Sequence, residues 1–328
     1  MLPEEKSAHP KLLCLDTNKW IDLAKAHYGK PGGERFRPAL EAVQNGIANG
    51  RLVVAGSIVN TIEAAINGDL GRRTRLVGFI SQIASNRWIV PAHTVLEWEL
   101  VNAVRSFLTQ PPLPIRPRLI GPGVGVALGA SIQVSGGTPE EHDAIIRFLD
   151  TSEVVADAML ALGDDRERVA ASRRSDETAL TRLEEIRGRA RRDLSSDQRY
   201  MANFWPMVGD PRMCGTPLED LLRVAGVPPD YAVQWLSTDG WRARHQCALP
   251  SLYSTLVLEE FCPANRRIDQ NDVRDQFWLS SALPYANAIV MERFWAGVIQ
   301  RSKLDKHYGT TVLTDAADLP SLLAGWGC

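Results

Sequence analysis

The feature that most constrains this chain is the run Leu12-Leu13-Cys14-Leu15, which leads directly into Asp16-Thr17-Asn18-Lys19-Trp20-Ile21-Asp22-Leu23. A short apolar run of this kind reads as a fully buried strand. From Lys19 onward, Trp20, Leu23 and Ala24 recur at helical spacing. Asp16 then stands at the carboxyl end of a first strand, on the turn into a helix, where open α/β sheets place their ligands. An aspartate there either caps the helix through its backbone amides or holds a metal, and the residue alone leaves both roles open.

A second acid follows the same pattern. Leu52-Val53-Val54-Ala55 is another short buried-strand candidate, and Gly56-Ser57-Ile58-Val59-Asn60-Thr61-Ile62-Glu63 comes next. Ser57 is a natural N-cap for the helix that this segment opens, and Glu63 lies on its second turn. Asp16-Thr17-Asn18 after one strand, with Ser57-x-x-x-Thr61-x-Glu63 after the next, resembles the PIN-domain nucleases, which include VapC-type toxin ribonucleases. Members of that family bind divalent metal at these two positions, so the resemblance implies a metal-binding role for Asp16 and Glu63.

With 328 residues the chain suits one large domain or two ordinary ones. Its 45% hydrophobic and 23% charged residues are those of a globular protein rather than a disordered one. No apolar run reaches the length of a membrane span. Residues 1–6 lack a basic stretch followed by an apolar core, so no secretory signal is expected. Cys14, Cys214, Cys247, Cys262 and Cys328 are odd in number and contain no CxxC. That disfavours a zinc ribbon or a disulfide framework and predicts a reduced, cytoplasmic setting. A net charge of −2 is neutral evidence on a nucleic-acid partner, because an acidic metal site and a phosphate-binding surface cancel in the sum.

Strand and helix alternate over the first ninety or so residues: strands at 12–15, 52–55 and 88–90, helices through Ala26, at 38–48, at 70–85 and from Pro91 through Phe107. This predicts a parallel sheet with helices on both faces. Residues 110–137 are rich in Pro and Gly and read as mostly loop. They lack the Gly-Lys-Ser/Thr of a phosphate loop. A charged, helix-rich stretch and a Trp-containing region follow, and alternation resumes at a helix start near Asn271. Strands at 288–291 and 310–315 complete the pattern. The expected organisation is a discontinuous PIN-like domain, residues 1–109 and 265–328, interrupted by a mainly helical insertion at 110–264. The fold class is α/β: a PIN-like parallel β-sheet of four or five strands flanked by helices.

The late segment also resembles larger PIN-like proteins, which place acids at a helix start and at the end of the next strand. Here those positions hold Asp272, Asp275 and Glu292, with Asp275 favoured over Asp272 on spacing. Asp272 and Asp275 also suit a helix N-terminus on simple charge grounds, Glu292 could instead pair with Arg293 or Arg301, and Asp315 and Asp318 look like a turn. Carboxylates gathered at one sheet edge repel unless a cation neutralises them, and oxygen ligands suit Mg²⁺ or Mn²⁺. The implied reaction is metal-dependent hydrolysis of a phosphodiester to a 5′-phosphate and a 3′-hydroxyl. One departure stands out. The similar proteins often read Pro-Tyr-x-Asp where this chain has Pro284-Tyr285-Ala286-Asn287, so Asn287 is a candidate weak metal ligand, natural or inactivating.

RNA is the expected substrate, with DNA as an alternative. Asn18 and the cluster Arg187, Arg189, Arg191 and Arg192 are the candidate nucleic-acid contacts. That cluster sits in a stretch of ten arginines against seven acids, for which a solvated helix face is the plainer reading. Trp205, Trp235 and Trp241 suit a core or a stacking platform. The six histidines show no zinc spacing, and no Gly-x-Ser-x-Gly elbow occurs. A toxin or defence role brings in a protein inhibitor or antitoxin as partner, and a homodimer is left open. A catalytically impaired module that binds nucleic acid or protein is the alternative function.

Overall fold

The computed structural model describes residues 10–66, 69–129, 135–164, 218–224 and 270–328, with isolated positions between 170 and 256. Arg187, Arg189, Arg191, Arg192, Trp205, Trp235 and Trp241 lie outside the described residues. The chain folds as two units. One takes in Met1–Val90, Ile120–Ser172 and Ala282–Cys328, the other Pro91–Leu119 and Arg173–Ser281.

The first unit is built on a four-stranded parallel sheet: β1 (Lys11–Leu15), β2 (Leu52–Ala55), β5 (Ala288–Val290) and β6 (Thr311–Leu313), in the order β2-β1-β5-β6. Segments more than 200 residues apart in sequence thus join one sheet, with Leu13 opposite Val54 on one side and Ala288 on the other. Strand periodicity sorts the side chains. Leu13, Leu15, Leu52, Val54, Ala288 and Val290 enter one core, while Leu12, Cys14 and Ile289 are equally buried on the opposite face. A sheet covered on both faces explains why these strands are continuous apolar runs rather than alternating ones.

Two crossovers position the edge that matters. From β1 the chain passes through α1 (Thr17–His27) and α2 (Arg37–Ala48) to β2, and from β5 through α12 (Arg293–Arg301) and α13 (Leu304–Tyr308) to β6. Both connect parallel neighbours, but they run in opposite directions along the sheet. The near-universal right hand of such connections puts the two helix pairs on opposite faces. Strand order therefore reverses between β1 and β5, and a crevice opens outside their carboxyl ends.

Beyond β2 come α3 (Ile58–Ile66) and α4 (Leu70–Ala84). Ser57 caps α3 as expected, its Oγ accepting from the Asn60 N–H at 3.1 Å. The expected third strand does not join the parallel sheet. β3 (Trp88–Ile89) touches it only through a parallel bridge from Trp88 to Gly56, and pairs antiparallel with β4 (Ile120–Gly121). The reason is local. Trp88 packs across Gly56 so closely that a Cβ there would meet the indole at 2.6 Å, and Pro91 soon follows with no N–H to extend a ladder.

Residues 110–129 hold more regular structure than a Pro/Gly-rich loop. They contain α6 (Arg116–Leu119), β4 and α7 (Gly123–Leu128). Gly129 ends α7 at φ 65°. Helices α8 (Pro139–Leu149) and α9 (Ser152–Asp164) follow, and α9 packs on α3 and α4. In the second unit, α5 (Ala92–Phe107) packs with α10 (Leu218–Val224), and α11 (Gln270–Ala282) supplies most of its length. Among the described residues, no helix is long and apolar enough to cross a membrane.

Candidate functional site

Three of the expected acids meet at the reversal of strand order. Asp16 directly follows β1, and its backbone N–H donates to Val290 O of β5 at 2.9 Å. Glu292 stands at the N-cap of α12, two residues beyond the end of β5. Glu63, on the second turn of α3, comes in from the β2 side. Parallel strands bring all three to one edge: Asp16 and Glu292 stand just beyond carboxyl ends, and Glu63 is carried there by the helix that follows β2.

Asp16 is the centre of the group. It is 7% exposed, and although it occupies the N-cap of α1, its side chain makes no capping hydrogen bond there. The carboxylate therefore makes no side-chain cap, and the backbone amide acting on it is that of Thr17. Its pKa is pushed up from 3.8 to about 7, first by burial, then by the nearby charges of Glu292 and Glu63. The Thr17 backbone N–H and the Lys19 ammonium pull weakly the other way.

The two outer acids are held by the residues after Asp16. Thr17 Oγ1 donates to Glu63 Oε2, and the Asn18 side-chain amide donates to Glu292 Oε1. The first turn of α1 thus supplies one acid and a hydrogen-bond donor to each of the other two. Behind Thr17, the Asn60 amide lies 3.0 Å from Thr17 Oγ1. Thr17 and Asn60 carry no role in the sequence reading, though signals for them exist. Thr17 follows the strand-end acid, and Asn60 precedes Glu63 by three residues on one helix face.

Asn287 does not join these acids, which corrects its place as a candidate metal ligand. It precedes β5, where its Oδ1 accepts from Leu12 N–H at 2.8 Å and its own N–H donates to Leu12 O at 2.9 Å. Leu12 and Asp16 are four residues apart along β1, so Asn287 stands about 13 Å from the acidic edge, at the opposite end of the strands. Its amide completes the sheet. Asn287→Ala is expected to cost about 1–3 kcal/mol by leaving a backbone N–H without its acceptor, a loss that denaturant titration would read. Asn287→Asp retains an acceptor and should leave divalent-ion affinity where it was. A gain in Mn²⁺ affinity in that variant would put the position back in the site.

Asp272 and Asp275 lie on α11 in the second unit, Asp272 buried at 3% exposure and Asp275 half-buried, and neither is without a partner. Asp315 is committed elsewhere. Its Oδ1 caps a short 3₁₀ turn by accepting from Ala317 N–H at 3.0 Å, and its carboxylate pairs with Arg35 at 3.2 Å.

The donor set at the edge is all oxygen, which suits a hard divalent cation. Among the described residues, no three His, Cys, Asp or Glu side chains are gathered as a ready-made ion site. Glu63 and Glu292 are instead drawn onto Thr17 and Asn18. The observation that fits a cation is Asp16 itself, a buried carboxyl beside two other acids, with Lys19 the one opposing charge set against them among the described residues. No protein-family profile, curated protein or solved structure matches this chain.

Proposed function

We propose that this chain is a PIN-like, metal-dependent endonuclease, a ribonuclease first of all, that hydrolyses phosphodiesters to 5′-phosphate and 3′-hydroxyl ends. The observation that carries the proposal is the buried Asp16 at the switch point of the sheet, its carboxyl raised to about 7 by burial and by Glu292 and Glu63. Acids so placed at a ligand-binding edge have little structural purpose and a clear chemical one.

Asp16, Glu63 and Glu292 would hold Mg²⁺ or Mn²⁺, which when bound supplies a water acidic enough to attack phosphorus and positive charge for the leaving oxygen. The protein's own contribution is orientation. Thr17 and Asn18 fix two carboxylates from one helical turn, and the N-termini of α1 and α12 direct their partial positive charge toward an anionic substrate. The alternative of a catalytically impaired binding module drew its support from Asn287 as a weakened ligand and from the large insertion; the place of Asn287 at the far edge removes the first of these and leaves the second. A toxin or defence-effector role, with a protein inhibitor or antitoxin as partner, extends the same proposal.

The test is incubation of the chain with end-labelled RNA and single-stranded DNA in millimolar Mn²⁺ or Mg²⁺. Internal cuts bearing 5′-phosphates, faster on RNA and abolished by chelator, are the expected result. Intact strands of both kinds with either ion would overturn it.

A further inference from the structure

We propose that Asn60 is a positioning residue for the acidic site, setting Glu63 through the Thr17 hydroxyl; this rests on the metal-dependent reading above and deepens it. Asn60 lies one helical turn before Glu63 on α3, is 3% exposed, and is enclosed with Ser57 and Thr61, both also buried. Its position is doubly fixed. Its backbone N–H donates to Ser57 Oγ at 3.1 Å, and the Ser57 hydroxyl lies 2.7 Å from its side-chain oxygen. Its amide then reaches across to α1 and meets Thr17 Oγ1 at 3.0 Å, and Thr17 in turn donates to Glu63 Oε2.

The direction of this relay follows from proton counting. A hydroxyl has one proton to give, and Thr17 gives it to the Glu63 carboxylate, which has none of its own when ionised. The contact at 3.0 Å then requires an N–H of Asn60 as donor, with its Oδ1 turned toward the Ser57 hydroxyl. Turned over, Asn60 would present Oδ1 to the Thr17 backbone N–H at 3.3 Å and to Thr17 Oγ1 at 3.0 Å, and its Nδ2 to Leu15 O at 3.2 Å and Ser57 Oγ at 2.7 Å. That orientation competes with Glu63 for the single Thr17 proton. The charged acceptor makes the stronger bond, so the amide-donating orientation goes with ionised Glu63. Asn60 thereby polarises and orients a hydroxyl that holds Glu63 without touching a substrate or ion itself. It also ties the β2–α3 turn to the β1–α1 turn, so that two acids from separate strands are registered to each other.

The measurement is Mn²⁺ binding to the full chain, by calorimetry or by the electron-spin signal of free Mn²⁺, in unmutated protein, Asn60→Ala, Thr17→Val, Thr17→Ser and the double variant Asn60→Ala/Thr17→Val. Asn60→Ala and Thr17→Val should each weaken Mn²⁺ binding about tenfold, the scale of outer residues that orient metal ligands. Thr17→Ser, which retains the hydroxyl, should bind within about twofold of the original. Because both residues act through one hydroxyl, the double variant should be no weaker than Thr17→Val alone. A residue that only supported the helix would give losses that multiply. Should Asn60→Ala fail to fold, the Thr17→Val and Thr17→Ser pair still decides whether the hydroxyl sets Glu63. Mn²⁺ binding unchanged by either single substitution, or losses that multiply, would overturn Asn60's role and leave the proposed function standing. Failure of the unmutated chain to bind Mn²⁺ would overturn both.

Discussion

Asp16→Asn should abolish cleavage and, at the same time, make the metal-free protein more stable above neutral pH. The first effect follows from losing the central charged oxygen of the site. Several kcal/mol of charge stabilisation correspond to a rate loss on the order of 10³-fold, read as single-turnover cleavage of labelled RNA. The second follows from the carboxyl's position. Its pKa rises from 3.8 to about 7 in the folded chain, so between those values the native state holds a proton that the unfolded state has released. Stability attributable to this group is therefore present at low pH and is lost as pH climbs from about 4 through 7. At 1.36 kcal/mol per pH unit, the loss is at most roughly 4 kcal/mol. Asparagine carries no such charge, and its stability should stay level across the same window. Divalent ions bind only the folded site and should raise the melting temperature of the unmutated chain, while the Asn variant should lose most of that rise. A variant that melts as the original does at pH 5 and pH 8, with and without Mn²⁺, would remove Asp16 from any metal role.

The other large effect is expected in the core beneath the same turn. Trp20 follows the Asp-Thr-Asn segment by two residues, is fully buried, and meets Phe79 of α4 edge-on with ring centroids 6.2 Å apart. Trp20→Ala should cost about 3–5 kcal/mol from lost burial and an unfilled cavity. That is a large share of the roughly 5–15 kcal/mol that holds a domain together. The denaturant midpoint should fall accordingly, with the slope unchanged. Trp20→Phe makes the informative comparison. Among the described residues the indole Nε1 has no hydrogen-bond partner, so phenylalanine gives up area but also removes an unpaired donor. It should cost well under half as much as alanine. Equal losses for the two variants would mean that the indole nitrogen has a partner, such as a buried water.

The placement of Asp16, Glu63 and Glu292 in the candidate site was legible in the sequence because each acid is coupled to a local pattern. Asp16 and Glu292 directly follow short apolar runs, and Glu63 stands six residues after the cap residue Ser57. A strand buried on both faces is continuous in hydrophobicity, and a helix start is marked by its cap, so these positions could be placed without knowing any long-range contact. The same local logic located β5 and β6, which complete the sheet begun by β1 and β2 after a long interruption.

What only the tertiary structure decided depends on pairing and register, which a linear pattern does not encode. Strand order β2-β1-β5-β6 puts the reversal between β1 and β5 and so brings Glu292 beside Asp16. The same register carries Asn287 to the opposite edge, although it lies only five residues before Glu292, because each strand residue advances the chain by about 3.3 Å. β3 reads as one more buried strand but is taken out of the parallel sheet by the Trp88 ring lying over Gly56. The hydrogen bonds from Thr17 to Glu63 and from Asn18 to Glu292 likewise join residues from different strand–helix units. Sequence spacing placed the acids at the ends of strands; the packing of those strands determined which acids meet.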